Sequence, residues 1–71
     1  MKLELFKKIV DEAIEKYPDH RMLIGYITEA TIQEAEADKP INAVYHYVDG
    51  LSRIRELTGD FGIGENWGVR K

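Results

Sequence analysis

The chain has 71 residues, no cysteine and a net charge of −3, with 44% hydrophobic and 32% charged residues. A chain of this length forms one domain, 1–71, near the size at which a single core barely outweighs chain entropy, and without thiols it has no disulfide or thiolate-bound zinc to help. Residues 19–38 hold five acids against Arg21 alone, which argues against nonspecific nucleic-acid binding, where clustered Lys and Arg neutralise phosphate.

The N-terminus, Met1-Lys2-Leu3-Glu4-Leu5-Phe6-Lys7-Lys8, breaks every apolar run with charge. It reads as neither signal peptide nor membrane span, and a cytoplasmic location with no membrane contact is the expectation. A first helix is predicted over 2–17, where Leu3, Phe6, Ile9, Val10, Ala13, Ile14 and Tyr17 share an arc of roughly 140°. Leu5 falls off that stripe. The opposite side mixes Lys7, Lys8, Asp11, Glu12, Glu15 and Lys16, the pattern of a core-facing helix rather than a basic membrane-surface one.

Pro18 stops the first helix, and Asp19 is positioned to cap a second over 19–38. Leu23, Ile24, Ile27, Ala30, Thr31 and Ala35 are expected on its inner face. Gly25 weakens the interior by up to about 1 kcal/mol relative to Ala. Thr31-Ile32-Gln33-Glu34 also fits a capping box, so the sequence allows a break at 25–31 as the alternative to one continuous helix, the reading adopted here. Lys39-Pro40 ends the segment, because the residue before proline is driven out of the helical region.

The third helix, 41–58, has an unusually wide apolar arc formed by Val44, Tyr47, Val48, Leu51, Ile54 and Leu57. A helix apolar over so much of its surface packs against two things, of which so short a chain can supply one. Asn42, His46, Asp49, Arg53 and Glu56 form a polar stripe on the other side. It reads as a solvated face with intrahelical pairs such as Asp49–Arg53, or as a self-complementary contact across a two-fold axis. Gly59 is a natural stop. The remainder, through Phe61, Ile63 and Trp67, is too rich in glycine for a helix and too apolar for a solvated tail. The fold class predicted is therefore all-α: an antiparallel up-down-up three-helix bundle with an irregular glycine-rich aromatic C-terminal tail.

Signals for chemistry are sparse. Glu34 continues the inner stripe of the second helix and falls opposite Tyr45 and His46 if the second and third helices fold back on one another. A partly buried carboxylate there needs such a donor, so Glu34 and His46 are the buried polar candidates, as a structural hydrogen bond or a tuned acid–base pair. His46 with Asp49 offers two metal ligands, too few for a site, and neither a metal nor a cofactor is expected. Gly62-Ile63-Gly64-Glu65-Asn66-Trp67-Gly68 is one residue too long for a dinucleotide fingerprint. Asp60-Phe61-Gly62 spells a kinase triplet in a chain far too short for a kinase. Both read as accidents of composition. A single serine, Ser52, and no cysteine leave nucleophilic catalysis without its parts.

These observations predict a non-enzymatic interaction protein that forms a dimer or higher homo-oligomer. The interface is expected at Tyr47, Leu51, Ile54, Phe61 and Trp67. A protein partner is expected on the acidic second helix or on the third helix and tail. The alternative is an oligomeric binder of a nucleotide-like ligand at a subunit junction, with Tyr45, Arg53, Arg55, Trp67 and Arg70 supplying stacking planes and guanidinium groups.

Overall fold

Two prolines divide the chain into three helices. In the computed structural model, which describes residues 2–64, α1 is Leu3–Lys16, α2 is Arg21–Ala37 and α3 is Ala43–Thr58, with no strand among the described residues. Pro18 and Pro40 each open a one-turn 3₁₀ segment, Pro18–His20 and Pro40–Asn42, that runs directly into the next helix. Lys39 is extended at ψ 145°, as a residue before proline should be.

These turns shorten the helices relative to the predicted spans and replace a predicted cap. Asp19 does not cap α2; His20 occupies that position and no side chain bonds the helix start. The reason lies in the backbone. Arg21 N–H donates to Pro18 O and Ala43 N–H to Pro40 O, so each 3₁₀ turn satisfies the first orphan donor of the helix it runs into.

The core draws Phe6, Ile9, Val10 and Ala13 from α1, Ile24 and Ala35 from α2, and Tyr47, Leu51 and Ile54 from α3, with Ile63 added from beyond α3. The α1 stripe is buried as predicted, with Leu3, Ile14 and Tyr17 at its partly buried edges; Leu5, off the stripe, also packs partly against the core. Phe6 stacks on Tyr47 with ring centroids 5.2 Å apart. Phe6, Ile9, Ile24 and Ile54 are the largest fully buried side chains, each worth roughly 1.5–3 kcal/mol of apolar burial. A radius of gyration of 11.3 Å matches the roughly 11 Å of a compact chain this long.

α2 runs unbroken through Gly25 and through the capping-box sequence. Thr31 does not start a helix; it is 3% exposed and packs against Gly50 of α3. A Cβ built on Gly50 would lie 2.8 Å from Thr31 Cγ2 and closer still to its hydroxyl oxygen. Only glycine at 50 admits this crossing. The buried arc of α2 is thus centred on Ile24, Thr31 and Ala35, and Leu23, expected inside, is 54% exposed. At about 100° per residue Leu23 stands a full residue step from Ile24, off the edge of that arc.

The two helical glycines therefore predict opposite outcomes. Gly25 has nothing within 4 Å of an added Cβ, so Gly25→Ala should stabilise by about 0.5–1 kcal/mol. Gly50→Ala should destabilise by about 1–3 kcal/mol through overpacking, and Thr31→Ala in that background should recover part of the loss. Urea midpoints at constant m-value read both effects; equal shifts at the two sites would dismiss the close crossing.

Candidate functional site

The polar candidates lie at the α2–α3 junction. Asp38, just past α2, accepts from Lys39 N–H at 2.7 Å, from Asn42 Nδ2 at 3.2 Å and from His46 Nε2 at 2.9 Å. The His46 contact first, then the two amide donors, hold the Asp38 carboxyl below the usual carboxylate range. Glu34 Oε1 stands 3.8 Å from His46 Nδ1. The structure thus brings Glu34 and His46 together, but the Glu34 side chain is 54% exposed and the His46 side chain 27%. Neither is enclosed as a tuned acid–base pair needs to be. The carboxylate that anchors His46 is Asp38, one of the five acids of residues 19–38. Among the described residues, no group of three or more His, Cys, Asp or Glu side chains is arranged to hold a metal ion.

The ligand candidates diverge. Tyr45, Arg53 and Arg55 are on one helix, yet Arg53 and Arg55 point about 160° apart and Tyr45 lies between them, about 80° from each. Arg53 pairs with Asp49 at 3.3 Å, and Arg55 Nε donates to Ile63 O at 2.7 Å. Trp67 and Arg70 lie outside the described residues. A depression of about 360 Å³, open to solvent, is lined by Glu12, Ala13, Glu15, Lys16, Gly62 and Ile63; Tyr45, Arg53 and Arg55 take no part in it.

Of the predicted interface residues, Tyr47, Leu51 and Ile54 are buried in the chain's own core at 7%, 3% and 0% exposure. Most of the apolar arc of α3 turns inward: Tyr47, Leu51 and Ile54 are buried, Val44 and Leu57 are partly buried, and Val48 alone of the six is exposed. Ile41 in the preceding 3₁₀ turn, and Tyr45 and Val48 four and seven residues on in α3, stand outward at 77%, 70% and 51% exposure. Phe61 is also exposed, at the far end of α3. On α2, Met22, Leu23 and Tyr26 form a second outward apolar group.

An unpredicted polar cluster secures the segment after α3. Gly59 ends the helix at φ 75°, its N–H donating to Arg55 O at 2.8 Å. Asp60 then turns back. Its Oδ1 accepts from Gly62 N–H at 2.9 Å, and its Oδ2 accepts from the Tyr17 hydroxyl at 2.6 Å and pairs with Lys16 Nζ at 2.8 Å. Ile63 is thereby held in the core, and Gly64, at φ 74°, lies where a Cβ would stand 3.1 Å from both Ile9 and Leu51. The visible signal was Asp60-Phe61-Gly62 itself: an aspartate two residues before a glycine, just past a helix stop, closes an Asx turn.

Lys16 first, then Tyr17 and the Gly62 amide, lower the Asp60 pKa to about 2. A carboxylate depressed on folding lends stability above its unfolded value, near 3.9, and loses it as pH falls through the folded value. The latch should therefore weaken between about pH 4 and pH 2. Asp60→Asn should lower the urea midpoint at neutral pH and flatten this acid-side decline, with Tyr17→Phe intermediate. A decline of unchanged steepness in Asp60→Asn would assign it to other carboxylates.

No protein-family model matches the chain, and neither a curated protein nor a solved structure matches it.

Proposed function

We propose that this chain is a non-enzymatic helical interaction protein that self-associates through the outer face of α3. The observation that carries the reading is the exposed stripe Ile41, Tyr45 and Val48. Its three- and four-residue spacing is the repeat by which helices pack against one another. The described residues leave this face uncovered, and a second copy would supply the missing burial. The proposal keeps the up-down-up antiparallel order implied by the short connections, which leaves the outer side of α3 open along its length.

The flanks favour a second copy as the occupant. Asp49 and Arg53 are paired, and Arg55 and Glu56 follow on opposite sides of the stripe. Mixed signs allow two identical faces to meet without net repulsion. Tyr45 adds a large, rigid side chain with a polar tip, the kind enriched at contact hot spots.

Light scattering across a dilution series should give a mass near twice the 8.2 kDa of one chain, falling toward that value on dilution. Val48→Glu, at a position already half exposed, should keep the helical circular dichroism and weaken association by about tenfold or more, ~1.4 kcal/mol. A wild-type mass of one chain at the highest concentration would overturn the proposal, as would an unchanged oligomer in the variant.

A further inference from the structure

We propose that the outer face of α2 docks a basic amphipathic helix from a partner protein. Two features of the same face converge on that chemistry. The first is apolar. Met22 is 83% exposed, Tyr26 73% and Leu23 54%, and at about 100° per residue the three share an arc about 100° wide. Ala30, Gln33 and Ala37 fall within the same arc and continue it as a floor of short and flexible side chains for about 22 Å from Met22. Methionine and tyrosine suit such a surface: one adapts its shape, the other keeps a polar tip at the rim.

The second feature is charge. Glu29 and Glu36 flank the arc beyond Met22, and Glu34 flanks it beyond Leu23; all three are exposed. Arg21, at the first position, is the helix's sole base, and its last turn has none. Asp38 follows at the C-terminal end, where the helix dipole adds its own negative potential. A second copy docked in parallel would set these carboxylates against each other, and an antiparallel copy would still bring acid to acid along most of the face. The same argument separates the two outer faces: α3 has mixed flanks suited to its own copy, and α2 has acidic flanks suited to an opposite charge.

The gradient along α2 also sets the character of the partner. Large apolar side chains belong over Met22, Leu23 and Tyr26, and lysine or arginine over Glu29, Glu34 and Glu36. This is the helix-in-groove mode of recognition, with anchors at three- and four-residue spacing. Because it rests on α2 alone, the inference stands or falls independently of self-association through α3.

The test uses a synthetic 18-residue leucine–lysine peptide designed as an amphipathic helix, titrated into the full-length, isotope-labelled protein. Amide shifts should concentrate on Met22, Leu23, Tyr26 and Ala30. Charge reversal in Glu29→Lys with Glu36→Lys should weaken binding by about tenfold or more, and Leu23→Ser with Tyr26→Ser should do the same. Val48→Glu should leave the affinity unchanged. A leucine–glutamate peptide of equal length should not bind. Shifts centred elsewhere, equal binding of the two peptides, or affinity unaffected by both α2 variants would each overturn the proposal. So would a fall in the mass of the protein alone on Leu23→Ser with Tyr26→Ser, which would show a second copy on this face.

Discussion

The close crossing of α2 and α3 at Thr31 and Gly50 decides which side of each helix is inside. Two helices normally stand 8–10 Å apart, and the distance depends on the side chains between them. Here the glycine removes the side chain on one helix and the buried threonine fills the space from the other. With that register fixed, Ile24 and Ala35 turn inward beside Thr31, and Tyr47 and Ile54 turn inward beside Gly50. The outer faces follow as a consequence. Tyr26 and Met22 on α2, and Tyr45 and Val48 on α3, are exposed because the crossing directs other residues inward.

The segment after α3 closes the other side of the core. Ile63 and Gly64 cover apolar surface of Ile9 and Leu51, and the segment is held by bonds at both its ends. Asp60 ties it to the last turn of α1, and Arg55 holds the Ile63 carbonyl from α3. One carboxylate thus joins the first helix to the end of the third across 43 residues of sequence. Asp38 does comparable work at the other junction, joining the end of α2 to His46 on α3. Neither contact is deeply buried, so both are geometric restraints more than sources of cohesion, which comes from the apolar side chains.

How much of this was legible in the sequence varies with the source of each signal. The α1 stripe was read correctly because one apolar face against one charged face leaves no ambiguity of phase. The α3 arc as read from the sequence is mostly turned inward, while the outward residues Ile41 and Tyr45 lie beyond its edge. Tyr47 and Val48 are adjacent in sequence and both apolar, but Tyr47 lies near the middle of the arc and is buried, and Val48 lies at its edge and is half exposed. In α2 the apolar residues outnumber those the core can use, so Leu23 and Ile24 were equally eligible for burial. Thr31 is a related case: the local pattern suits a capping box, but the space beside Gly50, a tertiary fact, determined its role. Glu34 stands 3.8 Å from His46 with more than half of its side chain exposed, since the stripe that leads to it ends at the surface. Asp60 was readable as a turn residue, but its partners Lys16 and Tyr17 are too distant in sequence for any local pattern to reveal them.

The four tyrosines are spread so that each sits in a different structural setting. Tyr17 belongs to the Asp60 cluster, Tyr26 to the α2 exterior, Tyr45 to the α3 exterior and Tyr47 to the core stack with Phe6. A single residue type therefore labels the clamp, two separate surfaces and the interior. Specific isotopic labelling of the tyrosine rings would give four resonances that report independently on unlatching, on occupancy of either face and on loosening of the core, all in one sample.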